Sequence, residues 1–568
     1  MKITIRVLPF LFVACAVFAQ SPVTVTVNTR APGEMIPTDF SGLSFETLSL
    51  RKNNEGVNGY LFDSTNTELL TLFRQLGVKN LRIGGSSVDS NPFDFVPGND
   101  DIDALFRFAI AAGVKVIYSL RLANGDSVKD ASIAKYIWDN YRKYLVCFTI
   151  GNEPNIYHGL DPEITDYTTY LAKWRRFAST ILDSVPDAKF GGPDNDNGGT
   201  SWGTSFAHDE LGSNIVTSIF FHYYVGGSAK SKTPQQIVDE VLSPEWVTTN
   251  YLTRYNASGA IVLPLGLPYR LTESNSYYVP KPGIWGGNNC FATALYALDY
   301  MHWWSEHNCS GVNFHTTQWK YNGTVYLDSI DNLQVYPMGY GIKAFDLGGH
   351  GDVDSVSISN PDGLNLTAYS VGGSDSLFVT IINKEHGTDA RDAEATIVAP
   401  GLPANAGVMY LSAPNQDPEA ISGVTLGGAA ISDHGPWQGK WSCIDSVGAG
   451  RYAVKVPATS AAIVKIAGTI TSVSDKLDVH HNLALAQNYP NPFNPMTTIG
   501  YELSATNHVA LKVYDVLGRR VTTLVDGVEN GGRYKVTFDG SRLASGVYFY
   551  RLRTSSGFEQ IDKMILEK

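Results

Sequence analysis

Residues 67–85 and 103–120 write one phrase twice: an amphipathic helical stretch, a glycine, then a β-branched strand. In the first copy Thr67 to Leu76 is stopped by Gly77 and followed by Val78-Lys79-Asn80-Leu81-Arg82-Ile83-Gly84-Gly85. In the second, Asp103 to Ala112 is stopped by Gly113 and followed by Val114 to Leu120. Glycine readily takes the left-handed conformation that ends a helix, so each copy reads as a βα unit. The pattern continues. A helical stretch Ala131–Tyr141 precedes the apolar run Tyr144–Ile150, and another over Ile164–Leu182 precedes Ala188–Gly192. Strands are also expected over Val216–Tyr223, Pro268–Glu273 and, after the long helical stretch Asn289–Glu306, over Gly311–His315. With Gly42–Glu46 in front there are eight strands alternating with helices, which predicts an α/β fold of the (β/α)8 TIM-barrel kind within residues 20–345. A doubly wound open sheet is the alternative, but no glycine-rich phosphate turn follows the first strand.

A parallel barrel gathers its chemistry at the C-terminal ends of its strands. The run Thr149-Ile150-Gly151-Asn152-Glu153-Pro154 ends the fourth strand on an Asn and a Glu, and Glu273 ends the seventh. A lone Glu before a proline reads as a cap of the next segment. A second Glu in the same topological position makes a pair, and cleaving a glycosidic bond takes two carboxyls, about 5 to 5.5 Å apart when the configuration is retained. The acid of such a pair needs a raised pKa and the nucleophile must stay ionised; negative charge on Glu273 itself pushes Glu153 upward. Asn152 is placed to hydrogen-bond a sugar hydroxyl beside the reacting carbon. Arg270, His222 and Tyr223 lie at or near other strand ends and are candidates to hold Glu273 ionised, or else satisfied polar residues of the rim.

The Asn152-Glu153-Pro154 motif with the later Glu273 resembles the clan of retaining glycoside hydrolases on (β/α)8 barrels. Within that clan, Gly42-Leu43-Ser44-Phe45-Glu46, Leu81-Arg82-Ile83-Gly84-Gly85-Ser86, Phe221-His222-Tyr223-Tyr224 and Thr272-Glu273-Ser274-Asn275-Ser276 resemble glycoside hydrolase family 79, the β-glucuronidase and heparanase family. The similarity covers about residues 23–468, because the family carries a β-sandwich built from both chain ends. It implies Glu153 as acid/base and Glu273 as nucleophile, with Glu46, Gly85, Ser86, Asn152, His222 and Tyr223 around the reacting sugar. Tyr326 resembles the family tyrosine that contacts a uronic carboxylate. One stretch departs from the family. Where members often show a Gly-Gly turn, this chain has Tyr278-Val279-Pro280-Lys281-Pro282-Gly283, and proline has no N–H to offer a carboxylate. Lys281 as a cation, or Gly286-Gly287 along another path, are the substitutes.

Residues 346–468 turn to short alternating strands separated by Gly, Asn, Asp and Pro, a β-sandwich pattern that Val23–Asn28 is expected to join. A polar linker follows over 469–484. Residues 485–568 read as a small all-β module, whose entry Asn488-Tyr489-Pro490-Asn491-Pro492-Phe493-Asn494-Pro495 cannot pair as a central strand. With Gly518-Arg519 and Gly546-Val547-Tyr548-Phe549-Tyr550-Arg551 it resembles the type A sorting domain of the type IX (Por) secretion system. That resemblance implies the type IX machinery as partner, a Bacteroidetes-like cell, and release to the cell surface or medium. Residues 1–19 complete the export reading: Lys2 and Arg6, the apolar run Val7–Phe18, and a small-residue cleavage site at Val17-Phe18-Ala19, too short to span a bilayer. Phe12-Val13-Ala14-Cys15 is a poor lipid-attachment box because of its Phe. No later segment reads as a membrane helix.

A formal charge of −12 with 17% charged residues argues against nucleic acid as partner. Aromatics at 11% suit a sugar cleft and equally suit a β-rich secreted protein. No cofactor and no metal are expected, because the 12 histidines show no ligand-type spacing except His480-His481 in the linker. Cys290 with Cys309 is a candidate bridge; otherwise Cys147, Cys290, Cys309 and Cys443 are free thiols. The sequence therefore reads as a secreted retaining β-glycosidase for glucuronides or uronic-acid glycans. The alternatives are a β-glycosidase for a neutral sugar, a carbohydrate-binding protein on a retired barrel, and a surface adhesin.

Overall fold

The computed structural model describes residues 22–29, 32–54, 57–90, 93–157, 159–278, 289–316, 323–327, 333–373, 375–400, 402, 405–433, 435–467, 484–485, 488, 491–503, 507–516, 518–530, 532–555 and 559–568. The export segment expected over 1–19 and the linker expected over 469–484, apart from Ala484, lie outside them, as do Lys281 and Gly286-Gly287.

Strand β1 (Val23–Asn28) precedes eight parallel strands: β2 (Ser41–Glu46), β3 (Asn80–Gly84), β4 (Lys115–Leu120), β5 (Leu145–Ile150), β6 (Phe190–Asn195), β7 (Val216–Tyr224), β8 (Tyr269–Asn275) and β9 (Val312–His315). They close as the sequence predicts, with Ser41–Ser44 of β2 running beside Val312–His315 of β9. The glycine stops are real: Gly77 and Gly113 cap their helices at φ 72° and 73°. Helix starts differ from the sequence reading because a capping carboxylate or amide decides them, not apolar periodicity. Asp126 accepts from the Val128 and Lys129 N–H groups and starts its helix at Ser127, and the helix expected from Asp103 starts at Asn99.

β1 joins the sandwich, pairing with Asp352–Ser359 and with Ala393–Val398. The sandwich is an eleven-stranded sheet folded over on itself. The fold line is the strand Asp352–Ser359, which pairs with Leu366–Gly372 through its first residues and with β1 through its last. Val23, Val25 and Val27 thereby face Val379, Ile381, Val464 and Ile466 in one core. The sandwich is tied to the barrel at helix Phe291–Glu306. Asp299 on that helix receives the Thr367 hydroxyl at 2.5 Å and the Tyr369 hydroxyl at 2.8 Å, and pairs with Lys384 at 3.2 Å. The carbonyls of Ala420 and Pro418 accept from the Phe291 and Ala292 N–H groups, two donors that a helix start leaves without intrahelical partners. Barrel and sandwich form one compact unit, 1–470.

Residues 471–568 form the second unit, a three-stranded and a four-stranded sheet around Phe493, Ile499, Leu511, Tyr550 and Met564. Among the described residues no helix is long and apolar enough to cross a membrane. Cys290 and Cys309 form no disulfide. They flank the sixteen-residue helix Phe291–Glu306, which at about 1.5 Å per residue holds its ends some ~24 Å apart, whereas a disulfide joins Cα atoms no more than about 7 Å apart.

Candidate active site

The lower barrel interior is polar and closed on itself. Arg270, near the start of β8, donates to Asn313 Oδ1 at 2.7 Å, to the Ser310 carbonyl at 3.0 Å and to the Asp39 carbonyl at 2.7 Å. It therefore belongs to the N-terminal end of the barrel and is no counter-ion for Glu273. That role falls to Arg82, halfway up β3 and fully buried. One guanidinium nitrogen donates to Glu273 Oε2 at 2.7 Å and to Ser44 Oγ at 3.2 Å; another donates to Asn152 Oδ1 at 2.7 Å and to Asp194 Oδ2 at 3.4 Å. Gly84 makes the room, since a Cβ there would fall 2.5 Å from Arg82 Cζ.

Glu153 and Glu273 meet at the other end. A carboxylate oxygen of each and a ring nitrogen of His222 lie within 4.8 Å of one another. Glu153 leaves β5 in a left-handed conformation (φ 50°, ψ 51°), its N–H held by the Asp194 carbonyl at 2.9 Å and its Oε1 2.9 Å from His222 Nδ1. Glu273 sits on β8 just past a bulge that opposes His222 to Glu273 and skips Thr272. The bulge brings two consecutive side chains to the site: Thr272 bonds Asp194 Oδ1 while Glu273 Oε1 accepts the Tyr224 hydroxyl at 2.7 Å.

The two carboxyls are driven apart electrostatically. Burial pushes Glu153 above the usual range, with the charge on Glu273 adding to it and His222 opposing. Burial acts upward on Glu273 too, but His315, His222, Arg82 and the Tyr224 hydroxyl outweigh it and hold Glu273 well below that range. Burial works against the charge on His222, yet Glu273, Asp194 and Glu153 raise it to about 9.

Of the other residues the sequence singled out, Glu46 reaches the site. Its Oε2 accepts from the Ser87 N–H at 2.8 Å and Ser87 Oγ at 2.5 Å, and its Oε1 lies 3.6 Å from His315 Nε2. Gly85 backs it at φ 70°, where a Cβ would fall 2.4 Å from the Glu46 carboxyl. Ser86 is exposed beside them. Tyr223 is not brought to the pair: its hydroxyl donates to the Asn250 carbonyl at 2.9 Å and its ring packs on Tyr300 and Trp304. Strand alternation explains this, because His222 on the inner face puts Tyr224, not Tyr223, on the same side. Tyr326 lies in the strand Val325–Leu327, and its side chain is outside the described residues.

Arg82, Asp194, Tyr224, Ser87 and His315 were missed. Arg82 carried a readable signal, a single cation inside a strand whose five residues are all buried. Asp194 did not, since only tertiary contact sets it against Arg82. Among the described residues, Glu153, His222 and Glu273 are also the set close enough to share a cation, but the Arg82 guanidinium already neutralises Glu273 Oε2.

Residues 487–567 match the family described as the secretion system C-terminal sorting domain. No curated protein matches the chain. Among solved structures it is similar to a 4-O-α-L-rhamnosyl-β-D-glucuronidase from Fusarium oxysporum 12S, at 15% identity and TM-score 0.61 over 78% of this chain and 99% of that one. It is similar to a GH51 arabinofuranosidase from Xanthomonas axonopodis pv. citri, at 14% identity and TM-score 0.58 over 78% and 99%. A GH39 enzyme from the same organism gives 13% identity and TM-score 0.54 over 80% and 100%. The chain thus ends in a secretion system C-terminal sorting domain, and its larger unit shares the TIM-barrel and β-sandwich fold of these glycoside hydrolases.

Proposed function

We propose that the barrel hydrolyses β-glycosides with retention of configuration, and that the protein is exported by type IX machinery from a Bacteroidetes-like cell to its surface or medium. The carrying observation is the approach of Glu153 and Glu273 to within 4.8 Å, with one carboxyl pushed up and the other down. A separation of about 5 to 5.5 Å suits direct attack, whereas an inverting pair needs about 6.5 to 9.5 Å to admit a water. Glu273 attacks the anomeric carbon while Glu153 gives its proton to the departing oxygen; Glu153 then takes a proton from the water that releases the sugar from Glu273. Asn152, fixed through its Oδ1 on Arg82, has its amide nitrogen left for a sugar hydroxyl. Glu46, Gly85 and Ser86 flank the same ring.

Glucuronides and uronic-acid glycans are the first substrates to test, on the motifs shared with family 79 and the glucuronidase among the similar folds. A neutral sugar is favoured instead by one observation. Among the described residues, the three cations facing the mouth, Arg82, His222 and His315, each already stand against a carboxylate. A panel of aryl β-glucuronide, glucoside, galactoside and xyloside decides between them, with NMR of the first-formed anomer reporting retention. If no substrate in a broad panel turns over, the reading of the barrel as a carbohydrate-binding protein gains.

A further inference from the structure

We infer that Asp89 is a positioning residue that aims the Glu153 carboxyl, a role resting on the glycosidase reading above. Asp89 follows the short helix Ser86–Val88 and is 2% exposed. Its carboxylate touches neither Glu153 nor Glu273, and among the described residues no cation bonds it; all four hydrogen bonds of the carboxylate reach other strand ends. Oδ1 accepts from the Leu122 and Ala123 N–H groups, both at 2.8 Å, just past β4. Oδ2 accepts from the Asn152 N–H at 2.8 Å and the Tyr157 hydroxyl at 2.6 Å, on either side of Glu153. One buried carboxylate therefore pins the exits of three consecutive barrel strands.

The turn it pins would not hold this shape unaided. Gly151 takes φ 89° and Glu153 φ 50°, and a non-glycine residue persists in the left-handed region only where its surroundings enforce it. Gly151 also admits a close approach, since a Cβ there would fall 2.7 Å from Tyr157 Oη and 2.9 Å from Leu122 Cβ. Asp89 grips the Asn152 N–H from one side while the Asp194 carbonyl takes the Glu153 N–H at 2.9 Å from the other. Between these anchors the direction of the Glu153 side chain is fixed.

Charge and shape are both required at this position. In Asp89→Asn the new amide nitrogen is itself a donor, and each oxygen it could replace faces two donors. Turned one way the amide loses the Leu122 and Ala123 N–H bonds; turned the other it loses the Asn152 N–H bond, while the Tyr157 hydroxyl can rotate to accept from it. Misplacement of a catalytic group by about 1 Å costs on the order of 10²-fold, and for an acid that cost appears only where the leaving group needs its proton.

The test uses the full chain and aryl β-glycosides of the sugar that the wild type hydrolyses best, from 2,4-dinitrophenyl to phenyl. Asp89→Asn is expected to lower kcat/KM about 10- to 100-fold for phenyl and only about threefold for dinitrophenyl, steepening the leaving-group dependence. Tyr157→Phe removes one donor of four and should steepen it less. Hydrogen exchange of the peptide 145–157 in the free protein should quicken in Asp89→Asn while the peptide 190–195 does not. An equal loss for every leaving group, or unchanged exchange in 145–157, overturns the proposal. If the wild type turns over no aryl glycoside, the glycosidase reading falls by itself, and exchange alone then decides whether Asp89 holds the turn.

Discussion

Arg82 Nη1 lies 2.7 Å from Glu273 Oε2, and both side chains are buried. A charge taken out of water at this depth is stable only when paired and hydrogen-bonded, and removing one partner of a buried pair typically costs about 3 to 5 kcal/mol. Arg82→Met leaves both Glu273 and Asp194 short of their cation, so urea unfolding of the variant should show a loss of that size. Arg82→Lys should rescue little of it, because one ammonium cannot reach the four acceptors that the planar guanidinium spans.

Glu153→Ala and Glu273→Ala should fail in different ways. Without the acid, kcat/KM on a phenyl glycoside should fall about 10²- to 10⁴-fold, and azide entering the vacated space should restore turnover and yield the β-glycosyl azide. Without the nucleophile, azide takes the opposite face of the ring and yields the α-glycosyl azide. Product NMR distinguishes the two: exchanged anomers would reverse the roles, and identical anomers from both variants would void them.

The pH dependence follows from the two shifts. Glu273, held below the usual carboxylate range, sets the acidic limb of kcat/KM under the ordinary 4.5 of a glutamate. Glu153, pushed up, sets the alkaline limb above it, because the acid form is lost as pH rises.

Stability should decline toward alkaline pH. His222 is raised from 6.5 to about 9 against the pull of burial, so its contribution is full below pH 6.5 and lost as pH climbs to about 9. Half-buried Glu306, raised by desolvation from 4.5 to about 8, acts in the same direction, since ionising it opposes folding. Tm of the full chain should fall between pH 6.5 and 9, and His222→Phe should flatten that slope.

Two adjacent tyrosines should separate cleanly. Tyr224→Phe removes a hydrogen bond to a charged oxygen, worth about 1.5 to 3 kcal/mol, and should cost about 10- to 100-fold in kcat/KM while moving the acidic limb upward. Tyr223→Phe loses only its bond to the Asn250 carbonyl and should lower stability by about 1 kcal/mol, leaving kcat/KM unchanged.

At the seam of barrel and sandwich, Lys384→Met should destabilise the larger unit by about 3 kcal/mol, because Asp299 keeps its two hydroxyl donors but loses its buried cation. Chemical denaturation followed by tryptophan fluorescence reads it.

The barrel was legible from sequence because local chemistry writes it: apolar runs, helical periodicity and glycines at helix ends recur with each βα unit, as at Gly77 and Gly113. The glutamates were legible for the same reason, since a charged residue closing a buried strand has only the mouth to face. Tyr223 in place of Tyr224 marks where that reading failed. Which of two neighbours faces inward depends on the strand's rotation relative to its partners, and across β7 and β8 a bulge resets that rotation. Arg270 failed likewise, because height along a strand separates the closed floor from the reactive rim and is invisible in composition. The pairings that set Glu153 and Glu273 to opposite protonation, with Arg82, Asp194, His222 and His315, join residues from six strands or their exits. Such contacts arise only when the cylinder closes, because electrostatic coupling in a buried site depends on distance through space and not on separation along the chain.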